Sequence, residues 1–421
     1  MSQRTSRFTG VFTAAWLAIA FLAFARQSLG QSGQPQKPKV RAVTAFVRLD
    51  RAHYKTQIQD AVDFLQKAKT TFEQAGYEVQ TIRITTQPFP EYTSDLSPAQ
   101  ALAFFRDYDA LAVKDGFDAA IGPANVDGPK SFQEAELLGK ILANTKSLEG
   151  SITIAGPDGI QWDSIRAASA IVKYLEANTP RGQGNFRFAA AGFVPSGGPF
   201  YPSSYFSGSG TRFAIGMESA NVVTEALSST KSPVDAEAAL TRSLGVYAQE
   251  IQAAARQLER QTGWKYGGID LSPASAQGAS IGDAFEKFLG APVGSSGTLT
   301  VAALITRAIR AIPVQRTGYS GLMLPVLEDP VLAKRWSEGR FTLDSLLSYS
   351  AVCGTGIDVV PLPGDVSQEQ IQRIISDVAS LSLKWRKPLT ARLLPIAGKK
   401  AGDETDFNDP HLVNAKIQPL P

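Results

Sequence analysis

Cysteine and histidine are almost missing from this chain of 421 residues, with one Cys and two His in all. A lone thiol, Cys353, rules out an intrachain disulfide and leaves too few ligands for a cysteine-based zinc centre. His53 and His411 lie far apart in sequence, so no multi-histidine metal motif is present. An excess of one charge is lacking as well. The net charge is +3, and residues 1–30 carry Arg4, Arg7 and Arg26 with no acid. The remainder is neutral and has no electrostatic basis for holding nucleic acid or anionic lipid. Neither the phosphate-cradling Gly-x-x-x-x-Gly-Lys pattern nor a dinucleotide fingerprint occurs, so no nucleotide cofactor is expected. What is present, 43% hydrophobic and 19% charged residues, is globular composition with ample material for a large core.

The N-terminus reads as an export signal. Arg4 and Arg7 precede an apolar run from Val11 to Ala25 that only Thr13 interrupts. The run is short for a membrane span, which needs about 20 apolar residues. Ala23-Phe24-Ala25 or Ser28-Leu29-Gly30 fits a peptidase site, which makes residues 1–30 a signal peptide and 31–39 a polar linker. An uncleaved anchor is the alternative. A periplasmic or secreted protein, free of the membrane after cleavage, is the expectation, with a homo-oligomer left open.

From residue 40 onward strand and helix patterns alternate. Ile58, Ala61, Val62, Leu65, Ala68, Phe72 and Ala75 share one helical face, and Gly76 supplies the stop. Ser97-Pro98 and Ser232-Pro233 each pair an N-cap with a first-turn proline, the second before a helix running to about Thr262. Strand patterns begin near residues 41, 78, 117, 151, 186, 211, 266, 320, 356 and 388. Helical segments separate most of them, as in parallel βα units. Residues 192–210, rich in Pro, Gly, Ser and Tyr, break the alternation once. That break implies two halves of five strands in one domain over 40–400, followed by a tail at 401–421.

Several segments together resemble uncharacterised protein family 0210, also called domain of unknown function 711. They are Lys265-Tyr266-Gly267-Gly268-Ile269-Asp270-Leu271-Ser272-Pro273, Gly321-Leu322-Met323-Leu324-Pro325-Val326-Leu327-Glu328-Asp329, and Ser350-Ala351-Val352-Cys353-Gly354-Thr355-Gly356-Ile357-Asp358. Ala279-Ser280-Ile281-Gly282, Pro361-Leu362-Pro363-Gly364-Asp365, residues 79–86 and Pro199-Phe200-Tyr201-Pro202 add to them. The resemblance implies a ten-stranded α/β barrel like that of pyruvate formate-lyase and ribonucleotide reductase, built from two five-stranded parallel halves. It does not bring glycyl-radical chemistry, because Leu394-Pro395-Ile396-Ala397-Gly398-Lys399 does not match the radical-glycine setting. It implies no particular reaction.

The residues themselves suggest where chemistry would reside. Asp270 and Asp358 occupy matching apolar strand patterns, each ending at a proline. Charges there are paired, hydrated or protonated. Together they form an acid–base pair, hold a divalent cation through oxygen ligands, or merely cap turns. Cys353 is either a reactive thiol inside the barrel or a buried inert one. Arg83, between Ile82 and Ile84, is either solvent-facing or an interior cation for an anionic ligand, with Thr85 at the same strand end. Glu218 either lines that site or complements a helix N-terminus. Asn125, after a predicted strand, and Tyr201, on the aromatic loop, complete the candidate small-molecule site. An enzyme acting on a small anionic molecule is the leading expectation. A non-catalytic binding protein and a scaffold are the alternatives.

Overall fold

The computed structural model describes residues 36–124, 131–275 and 278–420. The export signal and Asn125 lie outside these residues. Ten strands form one mixed sheet: β1 (Lys39–Phe46), β2 (Val79–Thr85), β3 (Asp118–Ala124), β4 (Leu148–Gly156), β5 (Gly159–Ile160), β6 (Phe188–Gly192), β7 (Arg212–Glu218), β8 (Lys265–Asp270), β9 (Gly356–Pro363) and β10 (Leu389–Ile396). Among the described residues twelve α-helices and one 3₁₀ segment are interleaved with them. The order across the sheet is β8-β7-β1-β2-β3-β4-β6-β10-β9, with β5 appended to β4. Strands β1, β2, β3, β4 and β6 are mutually parallel. The sheet reverses direction twice, where β1 meets β7 and where β6 meets β10.

Nine of the ten expected strand starts fall within a few residues of a strand, because the helices between them are amphipathic and the strands are mostly buried and apolar. The helix Tyr54–Gln74 buries Ile58, Ala61, Val62, Leu65, Ala68 and Phe72 as its spacing implies, while Ala75 is the exposed C-cap. Ser97 forms a full capping box with Gln100, and Pro98 sits in the first turn. Ser232 and Pro233 open the helix Pro233–Thr262, which Gly263 closes in the left-handed region.

The expected strand near residue 320 is the exception. Residues 315–327 lie between the two edge strands without forming a ladder with either. Ile269 donates to Gln315 O at 2.8 Å and Thr317 N donates back to Ile269 O at 3.1 Å. Further on, Val326 N donates to Asp358 O at 3.0 Å. Isolated bridges therefore tie one segment to both β8 and β9. Between them the backbone turns through positive φ at Gly318 and Ser320, which interrupts any strand. At Gly318 a Cβ would collide with the Asp270 carboxylate, so only glycine fits.

Asp329 closes this segment. Its Oδ2 accepts from Ser275 Oγ at 2.9 Å and Ile281 N at 2.7 Å. Its Oδ1 accepts from Ser280 Oγ at 2.6 Å and from Val331 N and Leu332 N at 3.0 Å. One buried carboxylate thus caps the helices Ile281–Leu289 and Pro330–Ser337 together. The tail then packs back. Val413 N donates to Leu327 O at 2.7 Å, and Phe407, Leu412, Ala415 and Ile417 are buried. Replacing Asp329 by Ala strands several buried amides at once, each worth roughly 1–3 kcal/mol. The expected loss is about 4 kcal/mol of unfolding free energy, read by urea denaturation, against under about 1 kcal/mol for exposed Asp163→Ala.

Candidate functional site

Alternation along the strands decides which side chains face inward. On β2 Thr81 and Arg83 point to the interior, and the register sets Arg83 beside Asp118 at the start of β3. Glu149, the second residue of β4, faces the same way. Opposite them stand Asp358 of β9 and Thr390 and Arg392 of β10, with Tyr319, Met323 and Glu328 from the irregular segment. Phe200 and Tyr201 come from the central loop, and Asp409 and His411 from the tail. Between these walls lies a polar hollow of about 240 Å³.

Its charges are unequally satisfied. Arg392 Nη1 donates to Asp358 Oδ1 at 2.9 Å and to Glu328 Oε1 at 3.0 Å, and its Nη2 donates to Phe186 O at 2.9 Å. Its Nε is buried without an acceptor among the described residues. Arg83 has less. One Nη1 donates to Pro199 O at 3.4 Å, and the guanidinium lies over the Tyr201 ring at 4.6 Å. The Arg83 Nε has no acceptor either, Asp118 Oδ2 standing 3.9 Å away. Tyr201 is itself pinned, donating to Ile84 O at 2.7 Å and accepting from Thr85 Oγ1 at 3.0 Å. The Thr355 hydroxyl, 2% exposed as a residue, is a third unpartnered group at this wall.

Desolvation sets the acidities. Burial pushes Glu149 up to about 7, offset by the guanidinium of Arg83 and raised further by Asp118. Glu149 is in view of the hollow rather than of bulk water, so it is only half-buried by area yet surrounded by protein. Burial also raises Asp358; Arg392 opposes this and Glu328 adds to it, since two carboxylates share one guanidinium. Burial lowers Arg41, with help from Arg83.

The sequence-predicted residues divide accordingly. Arg83, Tyr201 and Asp358 meet at the hollow. Thr85 stands behind Tyr201 and orients it. Asp270 lies outside the lining. Its carboxylate, 0% exposed, accepts from Ser272 N and Oγ, Tyr319 N and Ser320 N at 2.7–3.0 Å, which fastens the irregular segment to β8. The expected pairing of Asp270 with Asp358 across one cavity is therefore not formed, because backbone amides saturate the first and Arg392 engages the second. Glu218 sits at the far end of β7 near Arg41 and outside the lining, raised by burial. Cys353 is a buried free thiol, also outside the lining, and its carbonyl accepts from buried Lys387 at 2.6 Å. Among the described residues no group of three or more His, Cys, Asp or Glu is placed to hold a metal ion.

Asp118, Glu149, Glu328 and Arg392 escaped the sequence reading. Glu149 and Arg392 carry the signal that picked out Arg83, a charge inside an apolar strand: Leu148-Glu149-Gly150 and Ala391-Arg392-Leu393.

A single mixed sheet wrapped in helices, with a hollow lined by charges of both signs, defines a class of α/β protein with an interior polar site. The chain belongs to the family described as Uncharacterised ACR (DUF711), which it matches over residues 34–408. It is 32% identical to a UPF0210 protein of Pyrobaculum aerophilum over 371 residues, covering 82% of this chain and 80% of that protein. A UPF0210 protein of Pyrobaculum arsenaticum is 30% identical over 87% of each chain. One from Leuconostoc mesenteroides is 26% identical, over 84% of this chain and 82% of its own. The motif resemblance thus extends along most of the chain.

The raised acidity of Glu149 has a measurable sign. Its unfolded value is the ordinary one near 4.5, and its folded value is about 7. The folded state holds the proton more tightly, so this group's contribution to stability declines as pH rises through that interval. Glu149→Gln removes the decline. Its melting temperature should match that of the parent near pH 4 and exceed it increasingly up to about pH 7.5, as followed by calorimetry. A constant difference across that range would contradict the assignment.

Proposed function

We propose that the chain is an exported enzyme that binds a small anionic molecule in the interior hollow and acts on it by proton transfer. The observation that carries this reading is the guanidinium of Arg83, which lines the hollow with a single long hydrogen bond, to Pro199 O at 3.4 Å, and with Asp118 Oδ2 no nearer than 3.9 Å. A buried guanidinium donor without an acceptor costs free energy, and an incoming carboxylate or phosphate oxygen satisfies it. A hollow of about 240 Å³ has room for a small metabolite.

Proton transfer is assigned to Glu149, whose acidity lies where a group both gives and accepts a proton near neutrality. Asp358, held by Arg392, orients the opposite wall. This replaces the Asp270–Asp358 pair as the chemical centre. Asp270 is a positioning residue that holds Tyr319 at the cavity through its backbone amide. A buried carboxylate already accepting four hydrogen bonds has little left to offer a substrate.

The architecture behind the reading is a closed ten-stranded barrel of two five-stranded halves, with residues 315–327 as the irregular stave between β8 and β9. Support comes from the bridges that tie this segment to both edges and from the two antiparallel seams. Export rests on the charge and apolar pattern of residues 1–30, and the mature chain is proposed to start after Ala25 or Gly30. Among the described residues no helix is long and apolar enough to cross a membrane.

Arg83→Gln tests the binding reading. Arg83 makes one long hydrogen bond within the chain, so the variant should fold, with a melting temperature within a few degrees of the parent. Calorimetric titration with glutarate and inorganic phosphate should show binding to the parent and at least about tenfold weaker binding to the variant. Equal affinity in the two would remove the proposal. For export, N-terminal sequencing of protein from the periplasmic fraction should begin at residue 26 or 31; an intact Met1 would contradict cleavage.

A further inference from the structure

The cavity keeps acceptors to spare as well as donors. Glu149 accepts no hydrogen bond from any described residue, and Asp118 is approached only by Arg83 at 3.9 Å. Both stand on neighbouring strands of one wall, β3 and β4, in the register that puts Ala120 beside Glu149. The guanidiniums of Arg83 and Arg392 flank that wall from β2 and β10. Arg187, which ends the 3₁₀ segment before β6, acts on Glu149 through its charge but makes no hydrogen bond to it. Its guanidinium is turned to the carbonyls of Leu142 and Leu148, at 2.6 and 2.9 Å. The two aromatic rings nearest the charges, Tyr201 and Phe186, already carry the guanidiniums of Arg83 and Arg392 on their faces.

Taking both sets together, we propose that the ligand is a small zwitterion, an amino acid or a molecule with the same pairing of acid and amine. Its acid meets the Arg83 guanidinium, and its ammonium meets Glu149 with Asp118 beside it. This rests on the anion-binding reading above and extends it by adding the cation subsite.

The physical case is one of charge balance. Five basic side chains and five carboxylates line the hollow, His411 aside. A ligand with no net charge leaves that balance unchanged. A simple anion would satisfy the guanidiniums and leave Glu149 facing another negative group in a poorly solvated space, which disfavours its ionised form further. An ammonium instead supplies the donor that Glu149 lacks. Adjacent strands stand about 4.8 Å apart, so acid and amine subsites on neighbouring strands match a molecule a few bonds long.

Calorimetric titration of the full chain at pH 7.5 tests this with paired probes that differ only by an amine. The pairs are L-alanine and propionate, L-aspartate and succinate, L-glutamate and glutarate, and 4-aminobutyrate and butyrate. At least one amino acid should bind about tenfold or more tightly than its amine-free partner. In Glu149→Gln that preference should vanish, with the amine-free acid bound at least as tightly as by the parent, since the charge that repels it is gone. Asp118→Asn should reduce it in part, and serves as the second variant if the first is poorly folded. If the amine-free acids bind as tightly as their partners, or Glu149→Gln keeps the preference, the zwitterion proposal is overturned and the anion site stands. If no acid of either kind binds, the anion reading itself falls and takes this one with it.

Discussion

A buried guanidinium shared by two carboxylates holds the sheet's irregular side together. Arg392 of β10 donates to Asp358 of β9 and to Glu328, which ends the segment lying between β8 and β9. All three are nearly excluded from solvent. Removing one member of such a cluster leaves an uncompensated charge, typically a loss of about 3–5 kcal/mol. The same contact determines the cavity. It fixes Glu328 at the wall, consumes the Asp358 charge and holds the Arg392 guanidinium in place. The wall is therefore rigid where the donors are, which is the condition for recognising a small charged ligand at low entropic cost.

Carboxylates perform three different tasks in this fold, and burial alone does not distinguish them. Asp270 and Asp329 are each fully buried, and each gathers backbone amides that no strand ladder reaches. Asp270 replaces regular pairing where positive φ at Gly318 and Ser320 interrupts the backbone, and Asp329 caps two helix starts. Asp358 neutralises a cation. Glu149 does neither and keeps its acceptors unused. The count of donors already on each carboxylate separates structural acids from one with capacity left for a ligand.

The architecture was legible from the sequence because its signals are local. Amphipathic helices such as Tyr54–Gln74 declare themselves by spacing, and Ser97-Pro98 and Ser232-Pro233 mark starts that the structure honours. The break at residues 192–210 marks the passage from β6 to β7, where the chain enters the half that runs antiparallel to the first. The segment near residue 320 misled because its apolar run Leu322-Met323-Leu324 has strand composition, while its hydrogen bonds are supplied by Asp270 and by single bridges. The site was legible in part. A charge within an apolar strand pointed correctly to the cavity for Arg83 and Asp358, and the same signal at Glu149 and Arg392 was available. It misplaced Asp270, since a strand-end aspartate that clamps a loop and one that faces a cavity have the same neighbours in sequence.

Composition and periodicity by themselves determined the alternating α/β order, the two halves, the helix ends and the exclusion of disulfides, because each depends on residues within a few positions of one another or on simple counts. Which charges meet, and which remain unsatisfied, was decided only by the tertiary structure. Arg83, Glu149, Asp358 and Arg392 come from four strands spread over about three hundred residues, and the acidities of Glu149 and Asp358 depend on how much water and how many opposite charges the other walls leave them.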